Sequence, residues 1–304
     1  MLVKRGGMRN NNREERKEMG LKYRLIAFDL DGTLLDTDKN LPEENREALE
    51  EAAAAGIALV PATGRIYRGI PEGLKSLPFI RYYILSNGAA VYDAAEDRLL
   101  YRGDVPLELA LRCYDYLDTL PVLYDCYQNE RGWMSRSMLE AAPPYFVKEP
   151  HILELLYGLR VPVDDLKETL RQRGEPLQKM QCFFLPEDEA LRQRQMEEIP
   201  RRFPELVATT SVSNNVEINS VNAGKGKALS ALCRALGFSA AEAVAFGDGS
   251  NDREMLLAAG LGVAMGNAME SVKAAADEVT ASNDDCGVAK TIRRLLAEQK
   301  GRNG

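Results

Sequence analysis

The chain has 304 residues, 45% of them hydrophobic and 28% charged, with a formal net charge of −7. That length allows one large or two moderate domains with a well-buried core. The acidic balance argues against nucleic acid or an anionic membrane as the main partner, and no run approaches the roughly 20 apolar residues of a membrane span.

Residues 1–21 are polar and lack an apolar h-region, so they predict a disordered leader rather than a secretory signal. Translation could also begin at Met8 or Met19. From Arg24 to Phe28 an apolar run of strand length stops at Asp29-Leu30-Asp31-Gly32-Thr33. In an extended chain, i and i+2 project to one side, so Asp29 and Asp31 can face one pocket while Leu30 enters the core. Alone, the pair reads more readily as a solvated turn after a strand. A loop over Leu35–Asn40 leads to Pro42-Glu43-Glu44, which opens a helix that Gly56 ends. Ile57–Ala62 reads as a second buried strand stopping at Thr63-Gly64-Arg65, and Tyr82–Leu85 as a further one stopping at Ser86-Asn87-Gly88. Strands that alternate with helices and end in polar residues predict a parallel sheet with ligands beyond its carboxyl edge.

Between Val91 and Val216 tyrosines concentrate, with the single Trp133. Strand-like Met180–Leu185 is followed by a charged helix over Glu187–Ile199, which predicts a second, α+β domain. The first texture then returns. Gly224-Lys225-Gly226-Lys227 precedes a helix over Ala228–Leu236. The apolar strand Ala243–Phe246 ends in Gly247-Asp248-Gly249-Ser250-Asn251-Asp252, and Leu261–Met265 and Glu278–Thr280 read as further strands. The second domain is thus inserted into an α/β sheet whose halves flank it.

Several chemistries drop out. The single histidine, His151, sits in a proline cluster without triad context and reads as a surface or packing residue. The five scattered cysteines lack C-x-x-C spacing and fit reduced thiols in a cytosolic protein. Asp29-x-Asp31-x-Thr33 fails as a calcium loop at Leu34 and Asn40, and Gly226-Lys227-Ala228 fails as a nucleotide P-loop at Val221 and Ala228. The glycines at Gly260, Gly262 and Gly266 do not give G-x-G-x-x-G.

What remains is an ordered set of strand-end signals. Asp248 and Asp252, at i and i+4, would share one face of the helix they open; the competing reading is an N-cap. With Asp29 and Asp31 they would be strongly self-repelling without a cation, and oxygen-only ligands point to Mg²⁺. Mg²⁺, the glycine-flanked Lys225, the Thr63 hydroxyl and the Gly64 N–H are together what a transferring phosphoryl group requires.

These segments resemble the haloacid dehalogenase (HAD) superfamily phosphatases, in the Cof-like sugar-phosphatase subgroup. The resemblance also rests on Asn87-Gly88-Ala89, Met265-Gly266-Asn267-Ala268 and Ser282-Asn283-Asp284-Asp285-Cys286-Gly287-Val288-Ala289. It departs at Cys286, where an acidic residue is common.

The resemblance implies a Rossmann-like parallel-sheet core over 22–90 and 217–304, with an inserted α+β cap over 91–216 that selects the substrate. It implies a cytoplasmic, Mg²⁺-dependent phosphomonoester hydrolase for sugar phosphates or a phosphorylated cofactor, with no nucleic-acid or membrane partner; it carries no reading of oligomeric state. Asp29 would be the nucleophile and Asp31 the acid/base. Mg²⁺ would be held by Asp29, the backbone carbonyl of Asp31 and Asp248, with Asn251 and Asp252 in the surrounding shell. Thr63 and Lys225 would hold the phosphoryl oxygens, and Gly64, Arg65, Asn87, Gly88, Asn251 and Asn267 would line the substrate. Lys179 is a further candidate contact. Rival readings are a phosphomutase or phosphotransferase of the superfamily, a dehalogenase (against which Asp31 counts) and a catalytically silent binding protein of the same fold.

Overall fold

The computed structural model describes residues 22–129 and 131–302; the leader expected over 1–21 lies outside them. In chain order the strands are β1 (Leu25–Phe28), β2 (Ala58–Pro61), β3 (Tyr82–Leu85), β4 (Ala90–Asp93) and β5 (Arg98–Arg102). Next come β6 (Leu123–Gln128), β7 (Arg131–Ser135), β8 (Arg160–Val163), β9 (Lys179–Phe183), β10 (Leu206–Thr209) and β11 (Asn215–Ser220). Last are β12 (Ala243–Gly247), β13 (Leu261–Ala264) and β14 (Glu278–Val279). By contacts the described residues divide into two compact units, one of residues 22–61, 73–82 and 233–302, the other of 62–72, 83–129 and 131–232.

The first unit is built on a parallel sheet of order β14-β13-β12-β1-β2. β1 is buried along its whole length, as a strand covered on both faces must be. The helix Glu43–Ala54 follows β1, with Glu43 and Glu44 in its first turn, and Gly56 turns the chain at a φ of +82°. From β1 the chain moves to β2 on one side and later returns to β12 on the other. The strand order therefore reverses between β1 and β12, the place where open α/β sheets bind ligands.

The second unit carries a mixed sheet of order β10-β11-β9-β6-β7-β8, antiparallel except where β7 meets β8. Its apolar face packs Cys126, Met180, Val216 and Ile218 with Leu109, Leu117, Leu170 and Ile199 from the helices. The other face carries buried polar residues: Asp125, Lys179, Gln181 and Glu217. The molecule is thus an α/β protein, a Rossmann-like core with an inserted α+β domain.

The expected strand over Tyr82–Leu85 forms, but in a different sheet. β3 joins β4 and β5, and its Ile84 forms an isolated bridge with Ala62. A short, fully apolar run suits either sheet, and its pattern cannot choose between them. Of the five free cysteines four are buried, and His151 is exposed on the helix Pro150–Leu159. Among the described residues no helix is long and apolar enough to cross a membrane.

Candidate active site

The parallel register fixes the first group of residues. Phe28 pairs with Phe246, so the two chains leave adjacent strands together, and the Asp29 N–H donates to the Phe246 carbonyl at 3.1 Å. Carboxylate oxygens of Asp29, Asp248 and Asp252 then lie within 4.8 Å of one another. Asp29 and Asp252 are buried and Asp248 half-buried. Two unit charges at that separation repel by roughly 3 kcal/mol at an effective dielectric of about 20.

Donors on the chain offset part of this. The Thr33 hydroxyl donates to Asp248 Oδ1 at 2.7 Å. The backbone N–H groups of Asp248 and Gly249 donate to Asp252 Oδ2 at 3.0 and 2.9 Å. The i, i+4 helix face expected for Asp248 and Asp252 does not form, because the helix Arg253–Ala258 begins after both. The loop instead folds back on the Asp252 carboxylate, and that closure brings the two acids together. Nor does Asp252 cap its helix through its side chain.

This donor set fits Mg²⁺: oxygen ligands only, one of them fixed by two amides, in a buried acidic group that a small divalent cation would neutralise. The Asp31 side chain stands outside the group of three and pairs with Lys39 at 3.1 Å. Asn251 is half-buried, with Oδ1 2.7 Å from where a Gly249 side chain would begin. Asn267, though exposed, donates to the Gly32 carbonyl at 2.8 Å and accepts from the Asn283 N–H at 3.0 Å. Asn283 in turn donates to the Leu35 carbonyl, and Asp284 accepts from Thr37, so the 282–284 segment pins the loop after β1.

The second unit gathers the remaining candidates. Thr63 donates its N–H to Ile84, receives the Asn87 N–H at 3.0 Å on its carbonyl, and receives the Arg65 N–H at 3.2 Å on its hydroxyl. Arg65 donates to the Gly69 carbonyl at 2.9 Å. Ser86, Asn87 and Gly88 all take the left-handed region, at φ +50°, +57° and +88°. Only glycine fits the last position, since a Cβ there would lie 2.3 Å from the Gly224 carbonyl carbon and 2.7 Å from the Lys225 nitrogen. Lys225 is the first residue of the helix Lys225–Leu236 and fully buried, so the helix starts three residues before the expected Ala228.

Lys179, a candidate substrate contact, is engaged within the protein: its ammonium donates to Glu217 Oε1 at 2.7 Å and to the Gly64 carbonyl at 3.1 Å. Burial raises the Glu217 carboxyl, but the Lys179 charge and hydrogen bonds from Lys179, Asn87 and Ser211 outweigh it and hold Glu217 below the usual carboxylate range. Sequence reasoning missed Glu217 and Thr33. The signal for Glu217 was the alternation of Asn215, Glu217 and Asn219 with Val216 and Ile218, whose polar half reads as solvent-facing but is buried.

Comparison with known proteins bears on both groups. The haloacid dehalogenase-like hydrolase family model matches residues 26–292. The 5-amino-6-(5-phospho-D-ribitylamino)uracil phosphatase YcsE of Bacillus subtilis is 30% identical over 288 residues, covering 93% of this chain and 98% of the relative. An HMP-PP phosphatase of Escherichia coli is 34% identical over 255 residues, covering 83% and 87%. Among solved structures, a haloacid dehalogenase-like hydrolase from Bacteroides thetaiotaomicron superposes with a TM-score of 0.75 at 29% identity, covering 90% of this chain and 99% of that one. A parallel sheet that ends in clustered aspartates at its switch point, matched over nearly its whole length by such relatives, makes this chain a member of the haloacid dehalogenase-like hydrolases, a HAD-type phosphatase of the Cof-like group.

Proposed function

We propose that the chain is a Mg²⁺-dependent phosphomonoester hydrolase that works through a phosphorylated Asp29. The observation that carries this reading is the close group of Asp29, Asp248 and Asp252 at the switch point, with Asp31 two residues from Asp29. An Asp29 carboxylate oxygen attacks phosphorus as the ester P–O bond breaks, and Asp31 gives its proton to the departing oxygen. Water then attacks phosphorus, Asp31 takes back a proton, and inorganic phosphate leaves with Asp29 restored. The Thr63 hydroxyl and Lys225 ammonium compensate charge on the phosphoryl oxygens. Asp29, the Asp31 carbonyl and Asp248 would hold Mg²⁺, with Asn251 and Asp252 around them. Bound there, the ion supplies further charge compensation.

Gly64, Arg65, Asn87, Gly88, Asn251 and Asn267 would line the substrate, and residues 91–216 would act as the cap that selects it. The substrate class is small phosphorylated metabolites, sugar phosphates or a phosphorylated cofactor, in keeping with relatives named for a phosphoribityl-aminouracil and for HMP-PP. The site of action would be the cytoplasm. Phosphate release from a generic aryl phosphate tests the reading: turnover should require Mg²⁺ and stop with chelator. Turnover indifferent to chelator would sink it. A screen across sugar phosphates, pyridoxal phosphate, flavin mononucleotide and nucleotides then ranks the substrates.

A further inference from the structure

The Lys179–Glu217 pair has both side chains only 4% exposed. Such a pair is poor evidence of stabilisation, because desolvating two charges offsets most of their attraction. What distinguishes this one is what else its two ends hold. Lys179 reaches from β9 to the carbonyl of Gly64, the residue after Thr63. Glu217, on the neighbouring strand β11, accepts at Oε2 from Asn87 Nδ2 at 2.7 Å and at Oε1 from the Ser211 hydroxyl at 2.9 Å. One ion pair thus grips both the 63–65 turn and the 86–88 turn. The two turns are themselves joined by Asn87 N–H to Thr63 carbonyl and Ser86 N–H to Arg65 carbonyl, each at 3.0 Å.

The grip matters because of the backbone it restrains. Ser86 and Asn87 are non-glycine residues in the left-handed region, a conformation that persists only where surrounding contacts over-determine it. Gly88 then presses on the backbone of Gly224 and Lys225, so any relaxation of this turn is felt where Lys225 enters its helix.

We propose that Lys179 and Glu217 are positioning residues for phosphoryl transfer: through Gly64 and Asn87 they hold the Thr63 hydroxyl and the Lys225 entry in one fixed arrangement. The proposal rests on the phosphatase reading above. The pair touches no reacting atom; it acts through the turns that carry Thr63 and abut Lys225.

A coupled mutant cycle tests it. Lys179→Met alone strands a buried carboxylate, so the informative variant is Lys179→Met with Glu217→Gln, which removes both charges together. This double variant is expected to melt near wild type, yet to lose on the order of 100-fold in kcat towards an aryl phosphate, with KM changing far less. The same double change made on a Thr63→Ala background is expected to cost clearly less than 100-fold, because one of the two groups being positioned is already gone. An equal loss on both backgrounds would mean the pair acts elsewhere and overturns the proposal. So would wild-type kcat in the double variant, or a loss confined to KM. Should the double variant not fold, Glu217→Gln alone carries the same cycle. An inactive wild type would count against the phosphatase reading, whereas an active wild type with an additive cycle counts only against the positioning role.

Discussion

Replacing Gly32 by alanine should weaken Mg²⁺ binding while leaving every proposed ligand residue in place. Gly32 has φ +84°, where an alanine costs roughly 1–2 kcal/mol. Its new Cβ would lie 2.5 Å from Asp248 Oδ2, 2.9 Å from Cγ and 3.0 Å from Oδ1, whereas ordinary contact begins near 3.4 Å. The carboxylate must therefore retreat by nearly an ångström. That shift strains the 2.7 Å bond from Thr33, and a hydrogen bond to a charged group is worth about 1.5–3 kcal/mol. The total destabilisation is about 2.5–5 kcal/mol. Disturbing a group that orients a metal ligand costs roughly 10–100-fold in affinity. Gly237→Ala is the control: its φ of +82° imposes the same backbone strain, but among the described residues no atom beyond its own chain neighbours lies within 4 Å of its Cβ. Calorimetric titration with Mg²⁺ should show wild-type affinity for Gly237→Ala and a 10–100-fold loss for Gly32→Ala. Equal affinities in the two variants would refute the reasoning.

Other outcomes follow from buried charges. Arg160 Nε lies 2.6 Å from Asp125 Oδ2, and Asp125 is wholly buried. Arg160→Met should destabilise the fold by roughly 3–5 kcal/mol in denaturant titration, and adding Asp125→Asn should recover most of it; no recovery would mean the arginine matters for packing instead. Glu217 titrates below its unfolded-chain value of about 4.3. The stability it contributes is therefore complete above that pH and lost as pH falls through the lower folded value. The melting difference between wild type and Glu217→Gln should stay constant from neutral pH to about 5 and shrink below about 4; a gap that widens on acidification contradicts the assignment. Native protein treated with a thiol alkylator should react at Cys286 alone, since burial pushes Cys113 and Cys233 up to about 12 and raises Cys126 and Cys182 further.

The parallel core was legible because its strands are short apolar runs that stop at polar residues, and β1, β2 and β12 form where those runs lie. Asp29, Asp248 and Asp252 were legible as acids at strand ends, and the structure does bring them together. What brings them together was not legible. The Asp252 carboxylate is oriented by backbone amides of its own loop, a contact no side-chain spacing encodes. The start of the helix that carries Lys225 was placed three residues late, because the flanking glycines read as loop, whereas Lys225 is its first residue and is buried. The polar face of β9 and β11 was invisible for a similar reason. Alternation reports which residues share a face, not whether water reaches it.

The central claim is that Asp29 carries the phosphoryl group. Acid-quenching the protein during turnover of an aryl phosphate with Mg²⁺, reducing with borohydride and mapping the peptides tests it directly, because an acyl phosphate on aspartate is reduced to homoserine. Conversion at Asp29, abolished in Asp29→Asn, is the expected result. An unmodified Asp29 in an actively turning-over enzyme would contradict the account.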